Sequence, residues 1–367
     1  MGILGWFRWM MIGLLLLYST SAAALELNDS VAIEGNLAAA YQHRAISNAP
    51  DYDDGGRGAV LFQPVLSFQL TEKDAIQAKF GFASGNGLNG GATPFAVVPW
   101  AASLEADVKN INGRDRDYLL TAWYGHTISI GGGRLEVSGG IIDATDYLDD
   151  NAYANDELTQ FMNEALVNAP NAFLPSYDKG AAVQWDSGPW SARAVVMGIG
   201  GNDDQGSYTF FGAQVGYTLQ LGFGEGHYRL NVNGTSDDFD SSDDSEHALL
   251  SAIVSCDQQL GDSLGAWVRI GRQDDAALID FETIVSGGIN ILGNRWGRTA
   301  DTIGIGYASL NGGNGEFDHS DVFEVYYRWA INAFAAISLD LQYVKDKMID
   351  APDPRGWICG IRFAAFF

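Results

Sequence analysis

After residue 24 the chain has no apolar run that could cross a bilayer as a helix, since a spanning helix takes about 20 consecutive apolar residues. Cysteine is nearly absent, with two in 367 residues. Two do not make the disulfide framework of a small exported domain. Cys256 and Cys359 fall in segments that read as strands far apart in sequence, so the expectation is two unpaired thiols, buried or lipid-facing. Positive charge is scarce: 21 Lys and Arg stand against 46 Asp and Glu, a net charge of −25, and the cations form no run. Nucleic acid is excluded as a partner, because phosphate binding needs clustered cations. His43, His126, His227, His247 and His319 show no metal-ligand spacing. There is no G-x-S-x-G and no phosphate loop. Paired carboxylates of the glycosidase kind carry no information in so acidic a chain. The stretch DDFDSSDDSE at 237–246 lacks the spacing of a calcium loop and reads as a solvated external loop. The sequon Asn233-Gly234-Thr235 is not read as a glycosylation site. No enzyme, cofactor or metal site is implied.

What is present begins with an address. Arg8, the apolar run Met10–Tyr18 and Ala22-Ala23-Ala24 make a secretory signal peptide over 1–24, cut after Ala24. From Ser30 onward, segments of 10–14 residues alternate apolar and polar side chains. That is the signature of a transmembrane β-barrel, apolar toward lipid and polar toward the lumen. The reading gives one all-β domain over 25–367, an antiparallel barrel of about sixteen strands. They lie near 30–42, 58–71, 74–84, 116–129, 133–143, 179–188, 190–200, 207–221, 226–236, 247–261, 263–274, 281–293, 299–310, 320–332, 334–347 and 356–367. Short links alternate with longer acidic ones, as periplasmic turns alternate with external loops.

Charge parity tests this pattern. A lipid-facing Arg or Lys at the bilayer midplane costs about 2–4 kcal/mol, so strand cations belong with the polar set. His227, Arg229, Asn231 and Asn233 alternate with Tyr228, Leu230 and Val232. Glu324, Tyr326 and Arg328 alternate with Phe323, Val325, Tyr327 and Trp329. Trp185, Trp190, Tyr217, Trp329 and Trp357 lie near strand ends, where interfacial aromatics belong. The last strand alternates up to Phe367. This ending resembles the signal read by the barrel-assembly machinery of the outer membrane.

One stretch breaks the rhythm. Residues 145–179 are long, acidic and partly helix-like, and loops of more than about 12–15 residues in a compact fold are usually functional or disordered. Phe161, Met162, Leu166, Phe173 and Leu174 argue against disorder. The expectation is a long third external loop, about 145–178, folded into the lumen to constrict the pore. Asp156 or Asn155 is expected to cap a short helix over 157–168.

The chain resembles the carbohydrate-selective, OprB-like porins. Asp150-Asn151-Ala152-Tyr153-Ala154-Asn155-Asp156-Glu157, followed by Gln160-Phe161-Met162-Asn163, resembles that family's acidic segment with its "QFxN" core. Asp301-Thr302-Ile303-Gly304-Ile305-Gly306-Tyr307, Glu324-Val325-Tyr326-Tyr327, Asp340-Leu341-Gln342-Tyr343-Val344 and Gly360-Ile361-Arg362 resemble its closing strands. Leu339 stands where the family often has Pro, and the chain is shorter than usual members. The resemblance implies a sixteen-stranded outer-membrane barrel passing small sugars by passive diffusion.

Candidate pore-lining residues are the inward cations Lys79, Arg134, Arg193, Arg229, Arg269 and Arg362, facing the acids Asp146, Asp149 and Asp150 as opposed walls. Tyr147, Tyr153 and Phe161 are candidates for stacking on sugar rings, though such residues more often pack a loop against a wall. The rival on the same fold is a non-selective or ion-selective general diffusion porin. A more distant rival is a barrel-anchored surface adhesin or hydrolase. Expected partners are outer-membrane lipid and lipopolysaccharide, sugars and ions as permeants, and the assembly machinery. Sixteen-stranded porins are commonly homotrimers, and no motif here decides that.

Overall fold

The computed structural model describes residues 25–28, 30–201, 206–241, 245–315 and 317–367. The expected signal peptide lies outside them, as do residues 242–244 of the acidic loop. A short strand β1 (Leu25–Asn28) leads into β2 (Val31–Ser47), β3 (Gly55–Gln69), β4 (Asp74–Phe80), β5 (Phe82–Ser84), β6 (Leu119–Ile130), β7 (Gly133–Ile142), β8 (Asp178–Ser187) and β9 (Trp190–Ile199). Next come β10 (Tyr208–Leu221), β11 (Gly224–Thr235), the ribbon β12 (Phe239–Asp240) and β13 (Glu246–His247), then β14 (Leu250–Leu260). The series ends with β15 (Leu264–Gln273), β16 (Phe281–Leu292), β17 (Thr302–Gly312), β18 (Phe317–Ala330), β19 (Ala335–Met348) and β20 (Arg355–Phe366).

Sixteen antiparallel staves close on themselves. Closure is made by β2 against β20, in register from Asn36 opposite Phe366 to Ser47 opposite Arg355. A closed barrel pairs every strand and leaves no open edge in lipid. One stave is made of β4 and β5 together, broken at Gly81. There the Gly81 N–H turns to the Tyr118 carbonyl, and a Cβ on Gly81 would stand 2.7 Å from Leu120 Cδ1.

The two-residue period sorts the side chains. Along β11, Leu230 and Val232 are 51% and 43% exposed, while Asn231 and Asn233, on the alternate positions, are each 1% exposed. Arg269, Glu324 and Arg362, all on the polar parity, are buried, while Ile270, Tyr307, Leu339 and Ile361 are exposed. An outer surface this apolar fits hydrocarbon and not water. Aromatics gather at the strand ends. Trp190 and Tyr217 stand 4.6 Å apart beside a short turn, and Tyr343 and Trp357 stand 4.9 Å apart toward the long loops. Cys256 and Cys359 are both free thiols.

Two details differ from expectation. The strand expected from 116 begins at Leu119, because Tyr118 takes a left-handed backbone with φ 63. The helix expected over 157–168 is a single turn, Glu164–Val167. Asp156 does act as a cap, but of a turn, accepting from Leu158 N at 2.8 Å and Thr159 N at 3.2 Å.

Candidate constriction

Two inserts interrupt the barrel, residues 85–118 between β5 and β6 and residues 143–177 between β7 and β8. The second is held locally by Asx caps. The Asp143 side chain accepts from Thr145 N and starts the turn Ala144–Asp146. The Asn163 side chain accepts from Ala165 N and starts the one-turn helix Glu164–Val167. Such side chains satisfy the first backbone donors of a turn.

The polar parity of the strands grips this segment. Glu324 on β18 accepts from Met162 N at 2.6 Å and Asn163 N at 2.9 Å. Gln342 on β19 accepts from Asn163 Nδ2 at 3.1 Å. Arg362 on β20 donates to the carbonyls of Glu157 at 2.7 Å and Gln160 at 2.8 Å. Arg269 on β15 pairs with Asp149 at 2.9 Å, both fully buried, and donates to the carbonyls of Ala154 and Leu166. Gln214 on β10 accepts from Asp149 N at 2.9 Å and donates to Asp150 at 2.8 Å. Asn233 on β11 donates to the Ala172 carbonyl at 3.0 Å.

Apolar contacts fill the space between. Phe161 is fully buried, edge-on to Trp267 at 5.6 Å and to Tyr326 at 5.0 Å. Burying such a ring is worth about 1.5–3 kcal/mol. Two strand glycines make the approach possible. A Cβ on Gly265 would stand 2.2 Å from the Tyr153 ring, and one on Gly306 would stand 2.8 Å from Phe161. Phe161 and Tyr147 therefore serve as packing groups. Tyr147 is 7% exposed and its hydroxyl lies 3.0 Å from Ser138 Oγ.

The first insert, read from sequence as a plain external loop, is locked to the second. Val98 and Glu164 exchange hydrogen bonds, from Glu164 N to the Val98 carbonyl and from Val98 N to Glu164 Oε2, each 3.1 Å. Ala101 N donates to the Met162 carbonyl at 2.9 Å. Trp100, 1% exposed, donates from Nε1 to the Glu157 carbonyl at 3.0 Å. The strands hold this insert as well: Gln42 and Gln342 both donate to the Pro99 carbonyl, at 3.0 and 2.9 Å. A cavity of about 540 Å³ lies between the inserts, lined among others by Asn86, Asn89, Lys109, Asn112, Glu164 and Tyr177.

The candidate cations and acids divide into four groups. Arg269, Arg362 and Asp149 are buried, so they are corrected from pore-lining groups to tethers. Their parity is as read, but the segment that covers them removes them from solvent. Arg229 pairs with Asp150 at 2.9 Å and with Asp257 at 2.5 Å, and His227 lies 2.8 Å from Asp257. Arg134 and Arg193 stand apart beside short turns, paired with Glu136 and Asp186 at 2.8 Å each. Lys79 is the cation whose charge reaches Asp143, Asp146 and Glu157. Burial raises Asp143 above the usual carboxylate range. Protein walls in Asp146 and, with the Asp143 charge, pushes it up to about 6, although its side chain still meets solvent. Burial, then the Asp156 charge, pushes Glu157 up to about 7. Sequence reading missed Glu324, Gln342, Gln214 and Trp100. The strand residues were visible as polar-parity positions. Trp100 had no periodic signal.

Three comparisons bear on this arrangement. The model of the carbohydrate-selective porin, OprB family, matches residues 83–346. A protein of Aquifex aeolicus (strain VF5), described as uncharacterized, is 31% identical over 252 residues, covering 69% of this chain and 72% of that relative. The high-pH structure of Pseudomonas putida OprB superposes with a TM-score of 0.73 at 13% identity, over 92% of this chain and 94% of that one. The outer-membrane channel DcaP of Acinetobacter baumannii superposes with a TM-score of 0.60 at 8% identity, over 95% and 100%. The two superpositions establish the fold, and the family match reaches further. With sixteen closed staves, an apolar outer face and that match over most of its length, the chain belongs to the carbohydrate-selective porins of the OprB family, outer-membrane channels for sugars.

Proposed function

We propose that residues 143–177, with 85–118 locked against them, lie in the lumen and form the constriction that makes this porin sugar-selective. The observation that carries this reading is the grip of Glu324, Gln342, Arg362, Arg269, Gln214 and Asn233 on one segment. These residues lie on the strand parity opposite the lipid-facing one. The aperture lies between Lys79 on the β4 wall and the acids Asp146 and Glu157 on the segment, with the buried Asp143 behind them. Its polar groups meet sugar hydroxyls and release them again, as a channel site must. Solutes move down their gradient, and the chain catalyses nothing. The mature protein begins at Leu25, after removal of the leader.

Liposome swelling with a graded sugar series tests this reading, together with charged solutes of matched size. Neutral mono- and oligosaccharides should enter faster than those ions, and oligosaccharides should block ion conductance. Conductance indifferent to high sugar would point to a general diffusion porin.

The acids add a pH dependence. Their raised values mean that both Asp146 and Glu157 are largely protonated at pH 5 and ionised at pH 8. Raising pH therefore adds negative charge to the aperture. Reversal potentials in a KCl gradient should show cation preference growing from pH 5 to pH 8. Asp146→Asn with Glu157→Gln should flatten that curve. A curve unchanged by the pair of substitutions would remove these residues from the ion path.

A further inference from the structure

On the outer face, toward the long loops, two cations stand directly opposite each other: Lys345 on β19 and Arg355 on β20. Both are exposed and share the outward parity of Leu339 and Ile361. Like charges directly opposite on paired strands repel and destabilise the pair. The arrangement is anomalous in a chain with 46 acids and 21 cations. Neither side chain makes a hydrogen bond or ion pair with a described residue.

Three acids on this side have hydrogen-bond or ion-pair partners of their own. Asp321, in register with Lys345 on β18, feels the Lys345 charge from a distance, but its carboxylate accepts from Tyr307 OH at 2.5 Å and lies 3.1 Å from His319. Asp318 holds Lys347. Asp353 accepts from Met348 N at 3.0 Å. Two residues nearer the midplane, the next outward pair in the same register is Tyr343 and Trp357, with rings 4.9 Å apart. Such aromatics sit at headgroup level. The cation pair therefore stands at or just beyond the headgroups of the outer leaflet.

We propose that Lys345 and Arg355 form a clamp for a phosphate of the outer-leaflet glycolipid, lipopolysaccharide. Guanidinium supplies two parallel N–H donors to phosphate oxygens and ammonium supplies a point charge. The shared anion removes the repulsion between the two cations. Tyr343 and Trp357 lie beside the sugar and upper acyl region. The acidic external loops repel other anions, so the site is reached by a lipid moving laterally in the leaflet.

The test uses the full mature porin in phosphatidylcholine bicelles, titrated with diphosphoryl lipid A and read by the thermal midpoint and by binding. Wild type should bind and be stabilised. Lys345→Ser with Arg355→Ser should bind about thirtyfold more weakly, at about fivefold per cation near a charged surface. Lys345→Arg with Arg355→Lys should restore binding, and gel mobility before and after heating reports that each variant is folded. Dephosphorylated lipid A should lose the same factor. Equal binding by the double serine variant, or by dephosphorylated lipid A, overturns the proposal. Displacement of lipid A by inorganic phosphate at equal concentration overturns it too, because the site would then be a plain anion site.

Discussion

Replacing Arg269 by alanine should raise single-channel conductance severalfold and abolish block by oligosaccharides. Arg269 and Asp149 are both fully buried, and the guanidinium also serves the carbonyls of Asp149, Ala154 and Leu166. Removing one member of a buried pair leaves the other charge stranded, at a cost of about 3–5 kcal/mol. The inserted segment relieves that cost by leaving the wall and taking Asp149 to water. The barrel itself does not depend on the contact, so insertion and heat-modifiable mobility should persist. Arg269→Met combined with Asp149→Asn removes both charges and should recover part of the small conductance, because no lone ion remains. Planar-bilayer recordings with maltooligosaccharide titration decide the matter. A wild-type conductance in Arg269→Ala would show that the segment stays without its tether.

Trp100→Ala is the second large effect. The ring is buried among Ala102, Leu104, Leu158 and Met162, and its N–H holds the Glu157 carbonyl. Truncating a buried Trp costs about 3–5 kcal/mol, much of it for the cavity left behind. Here the cost falls on the joint between the two inserts. Conductance should become noisy, switching between wild-type and larger levels, as residues 85–118 leave and rejoin their neighbour. Trp100→Phe keeps most of the packing and loses one hydrogen bond, worth about 1 kcal/mol, so its recordings should stay near wild type. Quiet, unchanged recordings from Trp100→Ala would mean that the pair of hydrogen bonds between Val98 and Glu164 suffices.

The staves were readable because lipid and water impose opposite demands on successive residues. That is why Arg229, Glu324 and Arg362 were placed on the correct parity. Burial was not readable, since it depends on what lies over a residue, and Arg269 and Arg362 are hidden by a distant segment. The alliance of 85–118 with 143–177 had no signature either. Leu88, Val97 and Trp100 are scattered among Gly, Pro and Asn with no period, and such a pattern looks like any exposed loop. The helix expected over 157–168 shrank to one turn because Arg362, Trp100 and Glu324 compete for the Glu157 and Gln160 carbonyls and the Met162 and Asn163 amides that a helix would use.

That competition has an evolutionary side. Arg362, Glu324 and Asn233 grasp peptide groups of the insert, and Arg269 adds three carbonyls to its one carboxylate. Every residue type except proline at an amide offers the same handles. Side chains along the insert other than Asp149, Phe161, Asn163 and their like, which touch the wall themselves, are therefore free to drift without loosening its moorings, and a lineage can change its diet by point mutation while the architecture stands still.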